Sequence, residues 1–136
     1  IQEIEKEIIE ELSFYDEWME KYEHIIELGK ELEPLEEQYK TEENLVRGCQ
    51  SRVWLHSNME NGILSFKADS DAIITKGIVA LMVRVLSGHT PKEILDAELK
   101  FVDEIGLKEH LSPNRSNGLV SMIKQMKMYA LGHSVK

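Results

Sequence analysis

The chain has one cysteine, Cys49, and three prolines in 136 residues. One thiol cannot close a disulfide within the chain, so this is not a disulfide scaffold, and a reducing, cytoplasmic compartment is expected. Nor can it hold a conventional iron–sulfur cluster, which takes about four thiolates, and a structural zinc site takes about four ligands. The five histidines (His24, His56, His89, His110 and His133) form no close ligand pair and are expected at the surface. No apolar run approaches the roughly 20 residues that span a bilayer. A glycine-rich phosphate loop is absent, so nucleotide binding has no support. Low-complexity linkers and fixed-period repeats are also missing, and one domain over residues 1–136 is expected. The opening IQEIEKEIIEEL is acidic and amphipathic, unlike a signal or transit peptide.

Positive charge is scarce in the first third. Residues 1–43 hold 16 acidic and four basic side chains, whereas residues 44–136 hold nine and 12, within a net charge of −9. An acidic surface of this kind repels phosphate backbones and anionic membrane surfaces, so neither nucleic acid nor membrane is an expected partner.

What is present reads as helices, then strands, then helices. Ile1, Ile4, Ile8 and Leu12 lie at helical spacing. Ser13 and Asp16 form an S-x-x-D start signal for a second helix, carrying Trp18, Tyr22, Ile25 and Ile26 and ending near Gly29. Short strands are expected over 44–47 and 50–57, and another over 63–68, where Leu64, Phe66 and Ala68 alternate with polar residues. Asn61-Gly62 between the last two is a hairpin signal, because both residues tolerate positive φ. Asp69 or Ser70 should cap a buried helix running to about Ser87, with Gly88 as its stop. Thr90-Pro91-Lys92-Glu93 and Ser112-Pro113 mark two further helix starts, the last helix turning Leu119, Met122, Ile123 and Met126 inward. The methionines, Met128 among them, are expected as core filler. The fold class is α+β, a small antiparallel sheet flanked by helices.

Chemistry concentrates on Cys49. A lone cysteine is most often a small buried hydrophobe, but this one follows Gly48 in a turn between candidate strands, where a thiol can be presented to a partner. Arg47 and Arg52 stand close in sequence and would lower its pKa by favouring the thiolate. Val53, Trp54 and the apolar helix after Asp71 are expected to wall a recess around it, and burial there would instead raise the thiol pKa and slow its reaction. Asp71 is expected in the first turn of the buried helix, where the dipole favours an anion, and Arg115 in the first turn of the last helix, where it disfavours a cation.

Arg47-Gly48-Cys49-Gln50-Ser51-Arg52-Val53-Trp54 resembles the GCQSxVW signature of the SufE family, sulfur acceptors that serve cysteine desulfurases. Residues 22–30 (YEHIIELGK), 68–77 (ADSDAIITKG) and 110–119 (HLSPNRSNGL) resemble further family segments in family order, and residues 1–12 lie outside the clear resemblance. Asn114 stands where serine is common. The resemblance implies the fold shared with IscU-type scaffold proteins (SufE/NifU). It makes Cys49 the active cysteine, and it associates Asp71 and Arg115 with docking and with the loop around Cys49, formed by Arg47, Gly48, Gln50 and Ser51. The implied reaction is sulfur relay: Cys49 takes sulfur as a persulfide from a SufS-type desulfurase and passes it towards an iron–sulfur scaffold. The PLP belongs to that partner, so no cofactor is expected here, and a homodimer is left open. The alternatives are a non-catalytic activator that only binds the desulfurase, a paralogous relay to another pathway such as tRNA modification, and a plain α+β interaction domain.

Overall fold

The computed structural model describes residues 1–49, 51–111 and 113–134, with backbone only at 108 and 114. Helices α1 (Gln2–Ser13) and α2 (Trp18–Lys30) come first. Strands β1 (Val53–Glu60) and β2 (Ile63–Ser70) follow, then α3 (Ile73–Leu86), α4 (Pro91–Asp96), α5 (Phe101–Glu104), α6 (Leu107–His110) and α7 (Pro113–Ser134). The architecture is the expected α+β one.

The hairpin is set by its turn. Asn61 and Gly62 both take positive φ, 53° and 81°, and the antiparallel register runs from Glu60↔Ile63 to Val53↔Ser70. That register sends Val53, Leu55, Leu64, Phe66 and Ala68 into the core and leaves Ser65 and Lys67 in solvent. Both outer edges are partly covered. Leu64 exchanges backbone bonds with the 88–89 turn, and Val46 N donates to Val53 O.

Helix α3 lies against β2 on one side and α2 on another. Ile74, Ile78, Val79, Leu81, Met82, Val85 and Leu86 are all buried. The α2–α3 contact is backbone to backbone: a Cβ on Gly77 would stand 2.2 Å from Ile25 O, and one on Gly29 would stand 2.7 Å from Gly77 N. Helix α7 closes the core with Leu119, Met122, Met126 and Ala130 and ties to β1 through Tyr129 Oη, which donates to Leu55 O. The Thr90–Glu93 capping box forms as the sequence predicts.

Several expectations are corrected. Residues 44–47 make one isolated bridge, Leu45↔Trp54, not a strand, because a 3-10 turn at Glu42–Asn44 runs into them. Ser13 still belongs to α1 and bonds back to Glu10 O, so Glu17, without a side-chain bond, precedes α2. Helix α2 does end near Gly29, at Lys30, but Gly29 itself lies inside the helix and serves the crossing with α3. Asp69 and Ser70 end β2 instead of capping α3. Asp69, 7% exposed, pairs with Lys40 and Lys76 at 3.3 Å each. Burial would raise its carboxyl, but the Ser70 N–H and the two ammoniums outweigh that and hold it below its ordinary range. The histidines are more engaged than a surface role implies. Four of them are half-buried, with His24 bonded to Glu11 at 2.9 Å and His56 stacked on Tyr39, while exposed His110 stacks on Trp18. Met128 is exposed, not core. Ser112, expected to cap α7, lies outside the described residues.

The crossing makes a test. Gly77→Ala is expected to cost about 1–3 kcal/mol, since the backbone it strikes cannot give way as a side chain would. Gly132→Ala in α7, where a Cβ meets nothing within 4 Å, should leave stability unchanged or raise it by up to about 1 kcal/mol. Urea midpoints at constant m-value measure both. Equal effects of the two substitutions would contradict the packing described.

Candidate functional site

The chain reaches the site through a turn whose shape glycine permits. Gly48 has φ +91°, and a Cβ there would lie 2.5 Å from Ser121 Oγ of α7. The turn is therefore seated on α7, and Cys49 is delivered half-buried against it. The thiol donates a hydrogen bond to Gly118 O at 3.6 Å, and it lies close enough to α7 that a Cβ on Gly118 would be in van der Waals contact with Sγ at 3.4 Å.

Around the sulfur is a recess of about 80 Å³ lined by Cys49, Ser51, Thr75, Ile78, Arg115, Gly118 and Met122. Its walls come from α3 and α7. Val53, expected there, is buried in the core, and neither it nor Trp54 lines the recess. Trp54 instead lies under the Lys40 ammonium, 5.7 Å from the ring centroid.

Burial pushes the Cys49 thiol up from its ordinary value. Of the two opposed expectations, the direction is the one that burial gives and not the one that Arg47 and Arg52 would give. Both are exposed, and the group nearest the sulfur's proton is a carbonyl acceptor, which favours the neutral thiol.

Of the other expected site residues, Ser51 and Arg115 share the recess with Cys49. Arg115, in the first turn of α7, also donates from Nη1 to Tyr22 Oη at 3.4 Å, linking α7 to α2. Arg47 and Gly48 are exposed in the turn, and Gln50 lies outside the described residues. Asp71 does not line the recess. It precedes α3, whose N-cap is Ala72, so the dipole argument for it fails. It grips the exit of the loop instead: its Oδ1 accepts from Arg52 N at 3.0 Å, its own N–H donates to Arg52 O at 3.2 Å, and Ser70 Oγ donates to the same carbonyl at 2.8 Å. Sequence reasoning did not single out Thr75, Ile78, Gly118 and Met122. The one available signal was Thr75, a hydroxyl inside an apolar run. Among the described residues no group of three or more His, Cys, Asp or Glu is placed to hold a metal, and no helix is long and apolar enough to cross a membrane.

The cover on the thiol predicts its reactivity. Iodoacetamide should alkylate Cys49 more slowly in the folded protein than in the unfolded chain, with the folded rate–pH profile displaced to higher pH. Because the native pKa is the raised one, the folded state holds this proton more tightly. The stabilisation is therefore complete below the unfolded thiol's pKa and is lost as pH rises through the folded value. Asp71→Ala, which frees Arg52 N, should cost about 1 kcal/mol and speed the alkylation. Matching rates in folded and unfolded protein at every pH would refute the shielding.

A family model described as an Fe-S metabolism associated domain, SufE, matches residues 6–130. An uncharacterized SufE-like protein of Rhizobium meliloti is 44% identical over 132 residues, covering 93% of this chain and 94% of that protein. The chloroplastic/mitochondrial SufE-like protein 1 of Arabidopsis thaliana is 42% identical over 132 residues; these cover 96% of this chain but 36% of the plant protein. The solution structure of a hypothetical protein from Thermus thermophilus superposes with a TM-score of 0.80 at 19% identity, over 98% of this chain and 97% of that one, and shows the shared fold. A family model that takes in both the Cys49 turn and the α7 residues that cover it, together with relatives matched over nearly the whole chain, establishes that this protein belongs to the SufE family.

Proposed function

We propose that this chain is a sulfur acceptor and activator of a SufS-type, PLP-dependent cysteine desulfurase, carrying persulfide sulfur on Cys49 for iron–sulfur cluster assembly. The observation that carries the reading is the chain's only thiol, held on a glycine turn beside a recess with room for a small added group, in a family associated with Fe–S metabolism.

The transfer needs no redox partner. Cys49, once deprotonated, attacks the outer sulfur of the desulfurase persulfide. A new S–S bond forms to Cys49 Sγ, the desulfurase S–S bond breaks, and the desulfurase thiolate leaves. The PLP chemistry belongs to the desulfurase, and no cofactor is proposed for this chain. The raised thiol pKa keeps Cys49 quiet towards bulk electrophiles in the free protein. Docking supplies activation by drawing the turn off the Gly118 carbonyl. Exposed Arg115 and Asp71 stand at the two places, recess mouth and loop exit, where a partner acts on that turn.

Incubation with a cognate desulfurase and L-cysteine should add about 32 Da per sulfur to the intact mass, removable by reductant. Cys49→Ser should fold and bind the desulfurase but gain no mass. Sulfur uptake by that variant would overturn Cys49 as the carrier, and desulfurase stimulation by a wild-type protein that gains no mass would leave only the binding role.

Arg115→Ala should lower desulfurase stimulation at limiting concentration with little change in the urea midpoint. Undiminished stimulation at every concentration would remove Arg115 from the docking surface.

A further inference from the structure

Thr75 is 9% exposed and lines the Cys49 recess. A helical threonine commonly returns its hydroxyl to a carbonyl three or four residues back. Thr75 does not, and among the described residues its hydroxyl has no protein hydrogen-bond partner. No fully enclosed side-chain polar atom in the described structure lacks a partner, so this hydroxyl is not sealed in the core; it opens on the recess. A hydroxyl that faces the recess without bonding its own helix is a donor available to whatever occupies that recess.

We infer that the Thr75 hydroxyl holds the outer sulfur of the Cys49 persulfide by donating a hydrogen bond to it, with the Arg115 guanidinium supplying positive charge in the same recess. The inference rests on the proposed function and deepens it. The unloaded thiol needs an acceptor, and Gly118 O is that acceptor. After transfer Sγ has no proton to donate. A persulfide is a stronger acid than its parent thiol, so the outer sulfur is anionic and needs donors. Gly118 O cannot serve it, but Thr75, Ser51 and Arg115 share the recess and carry donors. Loading thus exchanges one polar partner for another without rebuilding the walls. The recess of about 80 Å³ takes an added sulfur while restricting bulkier nucleophiles.

The test loads purified protein with inorganic polysulfide, so that it does not depend on a desulfurase. The Cys49 thiolate takes one sulfane sulfur, an S–S bond forms, and the polysulfide dianion leaves one sulfur shorter, with no net oxidation. Glutathione is then added, and the loss of one sulfur, about 32 Da, is followed by intact mass. Iodoacetamide alkylation of the unloaded thiol serves as the reference for any opening of the recess. Relative to that reference, Thr75→Val should lose its outer sulfur about ten-fold faster than wild type, the size expected for a hydrogen bond to a charged group, and Thr75→Ser should recover most of the retention. Equal retention in Thr75→Val, a loss matched by faster alkylation, or a Ser variant that behaves like Val would overturn the inference. If Thr75-dependent retention is seen after polysulfide loading but the desulfurase delivers no sulfur, the proposed function fails and the Thr75 role stands. If wild type accepts sulfur from neither source, both fail.

Discussion

The structure depends on how closely α2 and α3 approach. Gly29 and Gly77 let the two backbones touch, and no side chain can substitute at Gly77 without meeting Ile25 O. This contact places α3 deep enough to be buried over most of its surface while β2 packs on another side. A two-stranded hairpin alone is marginal in water, so the sheet exists because α3 offers it an apolar face. The N-terminal turns of α3 then supply Thr75 and Ile78 to the recess. A spacing fixed between two helices therefore sets the position of a wall beside the thiol.

A second pair of close approaches builds the other wall. Gly48 rests on Ser121, where a Cβ would not fit, and Cys49 lies in contact distance of Gly118, so the thiol turn is seated on α7. The loop exit is tied independently by Asp71 and Ser70 to Arg52. The sulfur is thus clamped from two sides by elements remote in sequence. Its proton points to a carbonyl, and burial disfavours its charge. Both the carbonyl acceptor and the partial burial favour the neutral thiol over the thiolate in the folded protein.

Much of this was legible in the sequence where local chemistry decides the structure. Asn61-Gly62 fixed a turn, Thr90-Pro91-Lys92-Glu93 fixed a cap, and the Ile73–Leu86 run announced a buried helix. The turn that carries Cys49 was legible from Gly48, which takes the positive φ that glycine permits. The misread positions are those where a distant partner outweighs local preference. Asp69 looks like a helix cap, but Lys40 and Lys76 claim it for the end of β2. Asp71 looks like a dipole partner, but the Arg52 backbone holds it. Residues 44–47 have strand-forming side chains but find a partner only at Leu45 and Val46. The short helices α5 and α6 carry too few residues for a periodic signal. Thr75 is one hydroxyl in an apolar run, and only the fold puts it beside a thiol.

The clamp on Cys49 has a consequence for the newborn chain. The carbonyl that receives the thiol's proton lies 69 residues downstream. At about 5–20 residues per second, a ribosome needs about 3–14 s to make that stretch. The hairpin and α3 are synthesised within that interval, but the α7 segment that covers the sulfur is not. The partial shield on the thiol is therefore among the later features of the fold to be completed as the chain is made.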